Sequence, residues 1–377
     1  MNSTPNVNPR FKTISSVHPD FMSYLDGSFS AEMRALPVRS MNADARSEMA
    51  PGSNRDVVTF ELISIRDIRN PSPFQLFWIL LRPSTLILSL GPMMVIFAGI
   101  LFKIGLSDQS GLSLVPWWMS IGALIGVLSL QVSVNLFNDY FDHIRGKDRL
   151  SARGGSRAIK NGWVAARTLK HAAWGLFGFS VLLGAPVVMT HFSAFILVAI
   201  LALLAALEFA SQKLGLKYRG FGEILAFAMT GPLLTVGFSW ALIGTATWAQ
   251  AAMGVVFGSI SLMYYHAANF ENIMPDDQAG ISTWATRTGF DASKKFFHFT
   301  AVLTVCTAVV AMLWMRTDWR ILVVPLLLAF YLTPLTNRVQ RLASPLSSDL
   351  VGLRSKVIKL AWFTVVVIIA ACFVFRS

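Results

Sequence analysis

Charge and cysteine are both scarce in this chain. Only 14% of its 377 residues are Asp, Glu, Lys or Arg, against 54% hydrophobic residues, so the apolar content far exceeds what one soluble core would bury. The two cysteines, Cys306 and Cys372, lie inside apolar runs, which excludes a disulfide framework and a cysteine zinc site. The apolar runs do not show a barrel strand's strict alternation, and the amino-terminal region holds no apolar core of a signal peptide. What remains is a chain built to sit in lipid.

Apolar stretches near the ~20 residues that cross a bilayer recur at about 84–103, 113–137, 172–190, 192–210, 224–244, 248–268, 296–315, 320–336 and 358–375. Lipid offers no hydrogen-bond partners, so each must be a helix. The expected fold is an all-α membrane bundle of about nine transmembrane helices, over residues 71–377. Residues 1–70 are polar and rich in Ser, Asn and Pro, and are expected to be a largely disordered cytoplasmic extension. The stretch from Ile63 to Trp78, leading to Arg82 and Pro83, has the composition of an interfacial segment.

Basic residues fix the expected orientation, because short cytoplasmic loops accumulate them. The loop after the second span carries Arg145, Lys147, Arg149, Arg153, Arg157, Lys160, Arg167 and Lys170, and the loops after spans four, six and eight are basic too. The opposite loops are nearly bare. This places the amino terminus in the cytoplasm and the carboxyl terminus outside, in what is expected to be a bacterial inner membrane. The net charge of +12 is then mainly a topology signal and calls for no nucleic-acid partner.

Two polar clusters interrupt the apolar pattern. Gln131, Asn135, Asn138 and Asp142 are spaced four, three and four residues apart, which is one stripe down a helix face at the end of span two. Such a stripe must face protein or a wet cavity, since lipid exposure would cost several kcal/mol. Gly146 can end that helix and let Asp148 turn back. Span six ends with Asn269 and Asn272 on one face, and Pro275 is expected to break the helix and put Asp276 on the turn beyond. Both spans are even-numbered, so the clusters emerge on the same side. Hard oxygen donors of this kind suit Mg²⁺, which takes one or two protein carboxylates plus phosphate oxygens. Nearby Lys147, Arg153, Arg157, Lys160 and Arg219 would bind a diphosphate through charge-assisted hydrogen bonds. His143 and His266 read as solvated or satisfied helix-end residues, and Trp240, Tyr264 and Tyr265 as packing groups with ring faces able to meet a cation.

The segment Asn138-Asp139-Tyr140-Phe141-Asp142 with Gly146-Lys147-Asp148, paired with Asn269 to Gly280, resembles the two aspartate-rich motifs of the UbiA superfamily of intramembrane prenyltransferases. Asn135 to Asp142 and Tyr218-Arg219-Gly220-Phe221-Gly222-Glu223 are most similar to the 1,4-dihydroxy-2-naphthoate polyprenyltransferases of menaquinone synthesis. The resemblance implies transfer of a polyprenyl group from a polyprenyl diphosphate to an aromatic acceptor, with loss of carbon dioxide. It assigns catalytic roles to Asn138, Asp139, Asp142, Asp148, Asn272 and Asp276, and Mg²⁺ to Asn138, Asp142, Asp148 and Asp276. Gln131, Asn135, Asn269 and Tyr218 would line the cavity. Asn272 departs from the pattern, standing where most relatives carry a first Asp. Two other readings stay open: a sibling enzyme using 4-hydroxybenzoate, homogentisate, a lipid or a tetrapyrrole, and a cation-coupled transporter. The latter fits less well, because the acids gather at helix ends and not at the bilayer midplane.

Overall fold

The structure, a computed structural model, describes residues 10–38, 57–102, 115–150, 154–190, 215–278, 280–315 and 319–375, with isolated helical positions between 196 and 204. The chain divides into two compact units. The first comprises Met1–Arg82, Val132–Gly175 and Met274–Ile281, and the second Pro83–Gln131, Leu176–Ile273 and Ser282–Ser377.

The first unit corrects the expectation of a largely disordered extension. Strands β1 (Phe11–Ser15), β2 (Met33–Pro37) and β3 (Val57–Ser64) form an antiparallel sheet in the order β1-β3-β2, with Thr13 opposite Thr59 and Ala35 opposite Leu62. Helix α1 (Phe21–Asp26) follows β1. Val58 and Phe60, two apart and so on one side of β3, bury with Ile14, Leu25 and Ala35 in a small core. Averaged over seventy residues the composition is polar, but it hides β-branched and aromatic residues in β1 and β3, and a short Met33–Pro37 strand whose pairing is long-range. The expected interfacial segment begins in β3, makes a short 3-10 turn at Ile65–Asp67 and is α-helical from Pro73. Helix α2 (Pro73–Leu81) opens on a Ser72–Gln75 capping box, buries none of its residues, and exposes Phe74, Phe77 and Trp78. Arg82, at φ 50°, ends it, and Pro83 starts the next helix with no N–H to lose.

Eight helices of the described residues are long and apolar enough to cross a membrane: Pro83–Leu101, Trp117–Ile144, Ala166–Thr190, Gly222–Ile243, Trp248–Glu271, Phe290–Trp314, Trp319–Gln340 and Ser348–Val374. Each corresponds to an expected span, and the remaining one, at 192–210, lies outside the described residues except for isolated helical positions. In the second unit α3 (Pro83–Leu101), α8 (Trp248–Glu271), α9 (Phe290–Trp314), α10 (Val323–Gln340) and α11 (Leu353–Val374) share one apolar core.

The span expected at 224–244 is two helices, α6 (Gly222–Thr230) and α7 (Pro232–Ile243), broken at Gly231. Pro232 cannot supply the N–H that a continuous helix needs. Gly231 also allows the backbones of α6 and α8 to meet: a Cβ there would lie 2.5 Å from the Phe227 carbonyl oxygen and 2.6 Å from that of Gly254.

Candidate active site

Helix α4 (Trp117–Ile144) delivers Asn135, Asn138, Asp139 and Asp142 to the first unit, and all but Asp142 are buried. The helix stops at Gly146, whose φ of 74° is left-handed and whose N–H caps the His143 carbonyl at 3.0 Å. The chain reverses into the short turn Lys147–Leu150, which brings Asp148 back toward Asp142 as expected.

The acids crowd. Burial, followed by the charge of Asp142, pushes the Asp148 carboxyl up to about 7, against the pull of Lys160, Arg82 and Lys147. Lys147 is held above its ordinary value: burial works against its charge, but Asp276, Asp142 and Asp148 outweigh it. Its Nζ donates to Asp276 Oδ2 at 3.1 Å and stands 2.9 Å from Oδ1, while Asp276 is wholly buried. Lys147 comes from the first sequence cluster and Asp276 from the second, so the two regions meet through this ion pair.

The approach of Asp276 depends on a break in α8. The helix ends at Glu271 with Asn272 as its cap, three residues before Pro275, because the proline ring would clash with the carbonyl four residues back. The break thus falls earlier than the sequence suggests. A separate turn, Ile273–Gln278, carries Asp276, and the Ile281 N–H closes it onto the Asp276 carbonyl at 2.8 Å.

The expected basic residues differ in placement. Lys160 Nζ donates to the Asp148 carbonyl at 2.6 Å. Arg157 is exposed and left-handed at φ 59°. Arg153 lies outside the described residues. Asp139, grouped with the catalytic acids by resemblance, is engaged by Arg82 and by the backbone N–H of Ser156.

In the second unit, Gln131 Oε1 accepts from Ser89 at 2.8 Å. Asn272 spends its amide N–H₂ on the Ala268 carbonyl of its own helix, at 2.8 Å. Tyr218 is the last residue of the short turn Leu216–Tyr218, which the Arg219 N–H closes onto the Leu216 carbonyl at 3.0 Å, and the Arg219 carbonyl accepts from Arg287 at 3.0 Å.

Sequence reasoning assigned no role to Glu223. It is buried in the first turn of α6, accepts from Asn269 Nδ2 at 2.8 Å, and stands 4.0 Å from His266. His266 is fully buried with Nε2 3.0 Å from the Ser293 carbonyl and Nδ1 without a hydrogen bond, and His143 Nε2 is 2.9 Å from the Leu25 carbonyl, so a backbone carbonyl holds each ring. Glu271 was likewise missed, buried against Arg354, whose N–H reaches it at 2.7 Å. The available signal was an acid at the end of an apolar span, which is costly without a purpose. Tyr264 and Tyr265, edge to face at 5.3 Å, pack against the core.

Among the described residues no three His, Cys, Asp or Glu side chains form a ready-made metal cage. Mg²⁺ does not require one, since it binds through few carboxylates with substrate phosphates and water. Burial and then the charge of Asp142 lift the Asp148 carboxyl, and a divalent cation would favour its charged form against both, so the donor set fits.

Fold and site together define an integral, multi-pass membrane protein with an acid- and amide-lined helix end. The chain belongs to the UbiA prenyltransferase family, whose model matches residues 93–345, and it is therefore an enzyme of the prenyltransferase class. A 1,4-dihydroxy-2-naphthoate octaprenyltransferase of Mycobacterium tuberculosis is 26% identical over 238 residues, 63% of this chain and 77% of that protein. One of the same name from Haemophilus influenzae is 29% identical over 225 residues, 57% of this chain and 70% of that protein. A UbiA homologue from Archaeoglobus fulgidus, solved bound to GPP and Mg²⁺, aligns with a TM-score of 0.58 at 16% identity, over 79% of this chain and 98% of that one. At that identity the structural likeness speaks for the fold.

Proposed function

We propose that this enzyme transfers a polyprenyl group from a polyprenyl diphosphate to 1,4-dihydroxy-2-naphthoate, with loss of the acceptor carboxyl as carbon dioxide, on the cytoplasmic side of the membrane. The observation that carries the site is the cluster of half-buried Asp142 and Asp148 with buried Lys147 and Asp276, which draws on both sequence motifs. The acceptor rests on the relatives from Mycobacterium and Haemophilus, which carry that activity in their names.

Asp142 and Asp148 would hold Mg²⁺, with Asn138 one turn along the same face and Asp276 behind Lys147. When bound, the ion supplies charge neutralisation to the departing diphosphate. Lys160 and Arg157 stand beside this cluster in sequence and bring cations to the same anion. Loss of diphosphate breaks the carbon–oxygen bond of the donor and leaves an allylic cation, which the electron-rich ring attacks. Apolar spans keep water from trapping that cation.

The test is incubation of purified protein with Mg²⁺, a labelled polyprenyl diphosphate, and 1,4-dihydroxy-2-naphthoate, 4-hydroxybenzoate or homogentisate. Prenylated naphthoquinol is expected. Transfer only to another ring would reject the acceptor, and no transfer to a wider panel that adds lipid and tetrapyrrole acceptors would reject the enzyme reading.

A further inference from the structure

Asp139 follows Asn138 directly and so projects about 100° around the helix from it. Its carboxylate is almost entirely buried, and its surroundings belong to a loop. The Ser156 N–H approaches both of its oxygens, at 3.2 and 3.1 Å, and the Arg82 guanidinium pairs with Oδ1. Gly155 lies against this pair: a Cβ there would stand 2.6 Å from Asp139 Oδ1 and 3.2 Å from Arg82, at a φ of +60° that side chains rarely adopt. Arg157 shares the left-handed conformation at φ 59°, so surrounding contacts hold this turn against local preference.

The far end of the loop is tied as well. Lys160 is hydrogen-bonded to the Asp148 carbonyl at 2.6 Å. Gly162 packs against Leu36 of β2, which a Cβ would meet at 3.5 Å, and against Ile68 beyond β3, at 2.9 Å, while Gly27 brings the segment after α1 against Ala165. The amino-terminal region thus braces the chain at Gly162 and Ala165, just beyond the loop that Asp139 pins.

We infer that Asp139, paired with Arg82, is a positioning residue that fixes loop 154–160 so that Arg157 and Lys160 meet the donor's diphosphate, and that it is not a metal ligand. This rests on the proposed prenyl transfer. The guanidinium and the backbone N–H already engage this carboxylate from within the protein, the N–H at both of its oxygens.

The test measures binding of a labelled geranylgeranyl S-thiolodiphosphate to the full-length protein in detergent, with Mg²⁺ titrated separately. Loss of one charge-assisted anchor predicts that Asp139→Ala weakens the analogue by about tenfold, and that Gly155→Ala, which leaves Asp139 in place, does the same. In both variants the Mg²⁺ concentration at half-maximal binding, and the KM for the acceptor, stay near the wild-type values. Asp139→Asn, which keeps an oxygen for Ser156, falls between. If Asp139→Ala does not fold, Gly155→Ala and Asp139→Asn carry the comparison. A raised Mg²⁺ requirement in Asp139→Asn, with Gly155→Ala unaffected, would make Asp139 a ligand and overturn the inference. Wild-type protein that binds no prenyl analogue overturns the proposed function and this inference with it. Wild-type binding and transfer, with undiminished binding in Gly155→Ala, overturns the inference alone.

Discussion

Burying Lys147 beside Asp276 is costly unless each keeps the other, because desolvation of either charge alone exceeds what the rest of the site returns. Lys147→Met is therefore expected to destabilise the protein by about 3–5 kcal/mol and to abolish transfer. Combining it with Asp276→Leu should recover much of the melting temperature but none of the activity, which thermal unfolding and the transfer assay can separate. Asp148 gives a second prediction. Its carboxyl is raised from 3.8 to about 7 in the folded protein, so between these values the folded state holds more protons than the unfolded one. Stability in the absence of divalent cations should fall as pH rises through that window, by at most about 1.4 kcal/mol per pH unit. Asp148→Asn should flatten the profile, and melting temperatures at pH 5 and 8 would show it. Helical spacing put Asn138 and Asp142 on one face and Asp148 beyond a glycine turn, and the structure keeps that order. Spacing could not reveal what Asp139 touches, because Arg82 is 57 residues away.

At the scale of elements, the bundle depends on close backbone contact between α8 and the broken pair α6 and α7. A Cβ on Gly254 would lie 2.7 Å from the Pro232 Cα, and one on Gly258 would lie 2.7 Å from the Phe227 carbonyl oxygen. These two contacts are to backbone atoms and cannot yield without moving a helix. Gly254→Val is expected to cost about 3 kcal/mol or more, read as a lowered melting temperature and loss of the monodisperse peak. A hydropathy average over 224–244 shows only a span, since averaging erases the single Gly231-Pro232 step that breaks it. The strands escaped for a related reason. A run such as Val57 to Ile63 is too short to declare itself, and its hydrogen bonds go to β1 and β2, as far as fifty residues away.

For the whole molecule, the basic loops predict which side of the membrane each loop occupies. In a background with Cys306 and Cys372 replaced by Ala, Ser348→Cys should react with an impermeant maleimide only from the cytoplasmic side, and Thr245→Cys only from outside. The reverse pattern would move the proposed site to the other face. Membrane residence, the spans and the face bearing the first acid cluster were set by the sequence alone, because hydrophobic length and the 3.6-residue period are local properties. The pairing of Lys147 with Asp276 across 129 residues, the Arg82 clasp on Asp139 and the sheet behind its loop were decided by tertiary structure. A buried charge takes whichever partner the packed chain brings within hydrogen-bond reach, and that distance is not written in residue order.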